Sequence, residues 1–133
     1  MESPEIAPKY ALYREVAATD GAGPFTTKDH GINMGHYRFA NIQVVPMDKP
    51  TVEESTGAGT TNAGAEVYFW NDALGKYVQG NPAITKSGPG AGVAYEFTVE
   101  CLGRIMFVAV PGAVIAGQGV ALFVSGYGLD HTL

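Results

Sequence analysis

The stretch from Val93 to Val124 restricts the fold more than any other part of the chain. It opens with strict alternation over Val93-Ala94-Tyr95-Glu96-Phe97-Thr98-Val99-Glu100. Val93, Tyr95, Phe97 and Val99 fall on one side of an extended backbone, and Ala94, Glu96, Thr98 and Glu100 on the other, which is the pattern of a half-buried strand. Cys101-Leu102-Gly103 supplies a turn, and Arg104-Ile105-Met106-Phe107-Val108-Ala109-Val110 returns as a strand that is apolar on both faces. After the Pro111-Gly112 break, Gly119-Val120-Ala121-Leu122-Phe123-Val124 is a third strand. The three segments read together as the core sheet.

No charged residue occurs between Ile105 and Leu129, a span long enough to cross a bilayer. Pro111-Gly112, Gly117-Gln118-Gly119 and Gly126-Tyr127-Gly128 break it into short β-branched pieces, whereas lipid demands an uninterrupted helix. No Lys or Arg cluster flanks it, so the expectation is no membrane association. The missing charge instead marks strands hidden on both faces, and one domain of 133 residues is expected to need neighbours to hide them all.

Short strands and turns recur along the rest of the chain without a ten-residue helical stripe. His36 to Val45 reads as a strand ended by Pro46. Tyr37 and Phe39 share one parity and Ile42 and Val44 the other, so a β-bulge near Ala40-Asn41 is expected to bring all four to one face. Ala65 to Trp70 alternates, Asn71 to Lys76 supplies a turn, and Tyr77-Val78-Gln79 begins the return of a hairpin. Ala83 to Lys86 is a further candidate strand. Residues 46–64 form a polar, glycine-rich connection longer than usual, either mobile or ordered by what it touches. These features predict an all-β fold, an antiparallel β-sandwich or jelly roll.

Residues 1–31 differ from the remainder. Pro4, Pro8 and Pro24 punctuate them, Gly21-Ala22-Gly23 is a joint, and apolar groups are sparse. They read as an extended N-terminal arm leading into a sandwich domain over 32–133, with a strand or one or two helical turns at Tyr10 to Ala17. Tyr10, Leu12, Tyr13 and Phe25 on such a segment need a surface to cover, either the chain's own sheet or a neighbour's.

Several function classes find no support. The net charge is −5 and the eight Lys and Arg are scattered singly, so no basic patch for nucleic acid is formed. Gly57-Ala58-Gly59 lacks the third glycine, the Gly-Lys-Ser/Thr and the following helix of a phosphate loop. His30, His36 and His131, with Asp29 or Asp130, have no metal-ligand spacing, and solvated loop histidines are expected. Glu96 and Glu100 stand about 13 Å apart along one strand face, too far for a glycosidase pair. Glu53-Glu54 is a solvated charge pair. Cys101 cannot form an internal disulfide and reads as a small semi-buried side chain. Met1 to Glu5 lack the basic and apolar regions of a signal peptide, so synthesis in a cytoplasm without export by that route is expected. The expectation is therefore a non-enzyme without metal or cofactor.

The most distinctive surface candidates are Tyr68 and Trp70, opposite Val67 and Phe69 on their strand. With Tyr77, an exposed pair of this kind is what a sugar-binding sheet uses to stack on a ring. The competing expectation is that this face meets the second sheet or a neighbouring subunit.

Tyr37 to Val44 and Glu66 to Val78, with the glycine-rich loops and the short uncharged C-terminal strands, are similar in style to small virion proteins of tailed bacteriophages. That resemblance implies a capsid decoration or cement protein: a compact β-fold whose arm reaches neighbouring subunits, assembled as a homo-oligomer, a trimer being favoured, on a major capsid protein or another virion protein. The alternative is a carbohydrate- or receptor-binding module of a phage tail or fibre.

Overall fold

A computed structural model describes residues 10–21 and 23–129. It contains nine strands, one short 3-10 turn at Lys28–His30 and no α-helix among the described residues. The strands are β1 (Ala11–Ala17), β2 (Ile32–Asn33), β3 (Tyr37–Met47), β4 (Ala65–Asn71) and β5 (Lys76–Val78), followed by β6 (Ile84–Lys86), β7 (Tyr95–Glu100), β8 (Ile105–Ala109) and β9 (Gly119–Leu129). Two antiparallel sheets pack face to face, in the orders β1-β9-β3-β7 and β2-β8-β4-β5, with β6 also paired to β4. The all-β sandwich expected from the sequence is the fold observed.

With β6 set aside, the pairings nest. β4 pairs with β5, β3 with β7, β2 with β8 and β1 with β9. The chain is thus one long hairpin rolled so that successive pairs alternate between the sheets, as in a jelly roll. The contacts β3 to β9 and β4 to β8 close each sheet.

Alternation decides what faces the core. Ala40, Ile42 and Val44 of β3, Val120, Leu122 and Val124 of β9, Ala65, Val67 and Phe69 of β4, and Met106 and Val108 of β8 are all buried in one cluster. Each of these side chains larger than alanine contributes roughly 1.5–3 kcal/mol by leaving water.

Three expectations change. The Val93 to Val124 segments are not one sheet. β7 and β9 are in the four-stranded sheet with β3 between them, and β8 is in the other sheet. Leu102 (φ 51°) and Gly103 (φ 69°) make the turn, but it carries the chain across the sandwich edge. There the Cys101 and Leu102 N–H groups donate to the Arg38 carbonyl, and the Gly103 N–H donates to that of Tyr37. Second, no bulge interrupts β3: its pairing with β7 is continuous from Phe39 to Val44. Ile42 and Val44 therefore face the core, while Phe39 faces outward against Tyr127. The strand also runs through Pro46 to Met47, because β7 stops beside Val44 and leaves space where a central proline would otherwise be excluded.

Third, the uncharged stretch is hidden largely by the chain itself. β8 and β9 are interior strands of their sheets, and Met106 to Val110 are buried without exception. On β8 folding places both faces under cover, Met106 and Val108 in the main core and Phe107 beneath the segment before β2, while β9 buries its even-numbered residues Val120, Leu122 and Val124 in the main core.

The described part of residues 10–31 is wound onto the sandwich. β1 is the edge strand beside β9. A register shift between Leu12 and Arg14 turns both Tyr13 and Arg14 away from the outer face, so that Ala11, Tyr13, Arg14 and Val16 share the inner side in place of simple alternation. The 46–64 connection is likewise ordered by its own contacts. The Asp48 carboxylate accepts from the Ser55 and Thr56 hydroxyls and the Thr56 N–H, and Gln118 Oε1 accepts from the Thr60 N–H at 2.8 Å. Gly59 fits where a Cβ would fall 2.3 Å from the Met47 carbonyl oxygen.

Candidate functional site

Two outward sheet faces collect the aromatic residues, and their local chemistry differs. On the five-stranded sheet, Tyr68 lies beside Phe107, and Trp70 beside Tyr77, on the side opposite the main core. Phe107, Tyr77 and Ala109 form a second buried cluster there, with Phe25, Tyr68, Trp70 and Ile105 packed against it. The segment before β2 is its roof. Phe25 meets Phe107 edge to face, with ring centroids 5.4 Å apart. Gly23 (φ +80°) permits this approach, since a Cβ there would fall 2.4 Å from the Phe107 ring.

Polar contacts fasten the roof. The Tyr77 hydroxyl donates to the Lys28 carbonyl at 2.7 Å, and the Tyr13 hydroxyl donates to the His30 carbonyl. Lys28 Nζ lies 2.9 Å from Asp72 Oδ1, which also accepts from the Trp70 indole N–H at 2.9 Å. The Lys28 ammonium and the indole hold the Asp72 carboxyl below the usual carboxylate range. Burial pushes the Tyr13 phenol well above its ordinary value.

Arg14 enters this cluster from the sheet edge. Its guanidinium carbon lies 4.7 Å from the Phe107 centroid and 5.3 Å from that of Phe25. Its Nε and one terminal nitrogen are buried without a hydrogen-bond partner. Desolvation lowers the guanidinium pKa. The ring faces replace lost water by cation–π attraction, each contact contributing roughly 0.5–2 kcal/mol.

The outer face of the four-stranded sheet is open. Leu12, Phe123, Gln43 and Glu96 form one row across β1, β9, β3 and β7; Tyr127, Phe39 and Glu100 form another. Phe39 and Tyr127 stack with centroids 5.2 Å apart at 21°. Arg38 lies over Phe39 and bonds Glu100 at 3.0 Å. Leu12 is 44% exposed, Tyr127 43% and Leu129 63%. Beside the first row, Val45, Met47, Val52, Ala58, Ala94 and Phe123 line an apolar groove of about 350 Å³. The Tyr10 hydroxyl donates to Glu96, which pushes the phenol up to about 12.

The six residues singled out by sequence therefore divide. Tyr13, Phe25, Tyr68 and Trp70 meet around Phe107, and Tyr10 and Leu12 belong to the opposite outer face. Tyr68 and Trp70 are half-buried, so they do not form the free stacking pair considered from the sequence. Sequence reasoning missed Phe39, Phe123 and Tyr127 as outward groups, since both faces of β9 are apolar and only Ser125 hints at the polarity of its odd-numbered side. It also missed Arg14 as a half-buried cation with two buried nitrogens.

Cys101 is buried, and its thiol donates to the Tyr37 carbonyl at 3.4 Å. His30 and His36 are exposed, and His131 lies outside the described residues. Among the described residues no three His, Cys, Asp or Glu side chains form a metal-holding group. No helix there is long and apolar enough to cross a membrane. Compared with protein-family models, curated proteins and solved structures, the chain matches none.

Proposed function

We propose that this chain is a non-enzymatic assembly protein of the capsid-decoration kind, joining a virion shell and its own copies through the outer face of its four-stranded sheet. The observation that carries the reading is the set Leu12, Phe39, Phe123, Tyr127 and Leu129, standing on a sheet whose other side already holds a complete core. Such a face gains about 25 cal/mol for each Å² of apolar surface removed from water. Its polar centre, Asn41, Gln43 and Thr98, supplies hydrogen-bonding groups of the kind that fix register in an interface.

The jelly-roll nesting supports the reading by analogy, because this architecture builds many viral capsid domains. Lectin domains share it, so the face chemistry has to decide. A glycan platform would need Tyr68 and Trp70 open, whereas Trp70 packs beneath Lys28 and against Tyr77, and Tyr68 packs against the buried cluster around Phe107.

Sedimentation velocity tests self-association. A trimer is expected for the unaltered chain, and a folded monomer for the double variant Leu12→Asp/Tyr127→Asp. Co-sedimentation with undecorated capsid shells tests the virion role, and the same variant should fail to pellet. A monomer at tens of micromolar that also ignores shells would overturn the proposal.

A further inference from the structure

The groove beside Phe123 is shaped by small residues and rimmed by acids. β7 stops beside Val44, and past that point Gly57, Ala58, Gly92 and Ala94 stand where longer side chains would fill the space between Val52 and Phe123. Its walls are tied in place. The Gly92 N–H donates to the Thr61 carbonyl at 2.9 Å, and the Asp48 N–H donates to that of Gly57 at 3.1 Å. At about 350 Å³ the groove is at the small end for a ligand site, with room for one or two apolar side chains and walls already formed to receive them.

The charge around it is predominantly negative. The Glu15 carboxylate accepts from the Val52 N–H, and Glu53 and Glu54 follow Val52 in the chain. On the other wall Glu96 stands two residues from Ala94, on the same outward side of β7, and shares a cross-strand row with Phe123 through Gln43. Asp48 accepts from the hydroxyl of Ser55, another lining residue, at 2.9 Å. Against these five carboxylates stands Lys49. An apolar slot with such a rim favours an occupant that carries positive charge on either side of an aliphatic or aromatic anchor. A second copy seated groove on groove would set carboxylate against carboxylate, which like-charge repulsion opposes.

We propose that the groove is the docking site for an extended, lysine- or arginine-flanked segment of a partner protein, whose large apolar side chain seats between Val45, Val52, Ala94 and Phe123. Apolar burial anchors the segment, and Glu15, Glu53 and Glu96 select it by its cations. That the segment belongs to a virion protein rests on the assembly reading. The groove's choice of a basic, apolar-anchored chain does not, and it is measured on the isolated protein.

The probe is the acetylated, amidated peptide Lys-Lys-Leu-Leu-Lys-Lys, titrated into the 15N-labelled full chain and followed by amide chemical shifts. Saturable shifts are expected at Ala58, Gly92, Ala94 and Phe123, with Trp70 unmoved. Half-saturation should need at least about fivefold more peptide when salt is raised from about 0.02 to about 0.2 M, because the charge pairing is screened. Replacing both leucines by serine, or every lysine by glutamate, should each weaken binding at least about tenfold. Val52→Lys, at an exposed position, should abolish the shifts while the spectrum stays dispersed. Absence of saturable shifts, equal binding of either altered peptide, shifts centred away from the groove, or shifts retained in Val52→Lys overturns the proposal. Trimer formation and shell pelleting are read separately by sedimentation, so either reading can fail without the other.

Discussion

The Arg14 guanidinium lies 4.7 Å from the centre of the Phe107 ring, at the point where the sandwich edge meets its roof. Two of its nitrogens are buried and make no hydrogen bond. Burying an unpaired charge is unfavourable, and the ring faces offset only part of that. Arg14→Met keeps the stem's packing and removes the charge. It is expected to leave stability unchanged or raise it by about 1 kcal/mol, by analogy with apolar replacement of buried ions. Urea unfolding measures this, and a loss above about 2 kcal/mol would show that the cation is a net stabiliser.

Phe25 covers Phe107 from a segment with few other apolar anchors. Phe25→Ala should cost about 1–3 kcal/mol, less than the 3–5 kcal/mol expected for Phe107→Ala, because Phe25 is only partly buried. The chain's single tryptophan, Trp70, lies under the same roof beside Lys28. Its emission should shift to the red in Phe25→Ala while the far-ultraviolet circular dichroism is retained. An unchanged emission maximum would mean that the roof stays closed without Phe25.

Asp48 ties the long connection after β3. The Thr56 hydroxyl and N–H, with the Ser55 hydroxyl, favour the charged carboxylate and lower its pKa to about 2. A folded-state pKa below the ordinary value stabilises the fold above pH 4, and that contribution is lost as pH falls through about 2. The Thr56 amide shift should therefore titrate with a midpoint near pH 2. In Asp48→Asn that titration should vanish, and a midpoint near 4 in the unaltered chain would contradict the bonding described.

How much of this the sequence made legible follows from what alternation encodes. Period two separates the two sides of a strand, and on β4 it correctly sets Val67 and Phe69 against Tyr68 and Trp70. It carries no information about which sheet a strand joins. β7 and β8 therefore read as a hairpin, although the Cys101 turn sends them to opposite sheets. Alternation also misleads where register slips: the irregularity around Tyr13 moves Arg14 to the inner side in a way no composition signal marks. The burial of the uncharged C-terminal strands was legible, but its agent was not. The cover of β8's outer side depends on the leading segment folding back across more than seventy residues of sequence, Phe25 onto Phe107, a contact that local pattern cannot show.

That cover gives the arm reading its sharpest test. An arm that reaches only outward is dispensable for folding, whereas β1 lies along β9 from Ala11 to Ala17, and Val16 is fully buried. Deleting residues 1–31 would expose the free edge of β9 and uncover Phe107. It would also remove the burial of Val16, roughly 1.5–3 kcal/mol, and the partial burial of Tyr13 and Phe25, about 1–3 kcal/mol each. That sum rivals the total stability of a small domain, about 5–15 kcal/mol. The truncated chain is therefore expected to lose its dispersed proton spectrum and cooperative melting. Deleting only residues 1–9 should leave both intact, because β1 and the roof remain. A well-folded product lacking residues 1–31 would instead show that the sandwich is complete from Ile32 onward and that the leading segment is free to serve a neighbour.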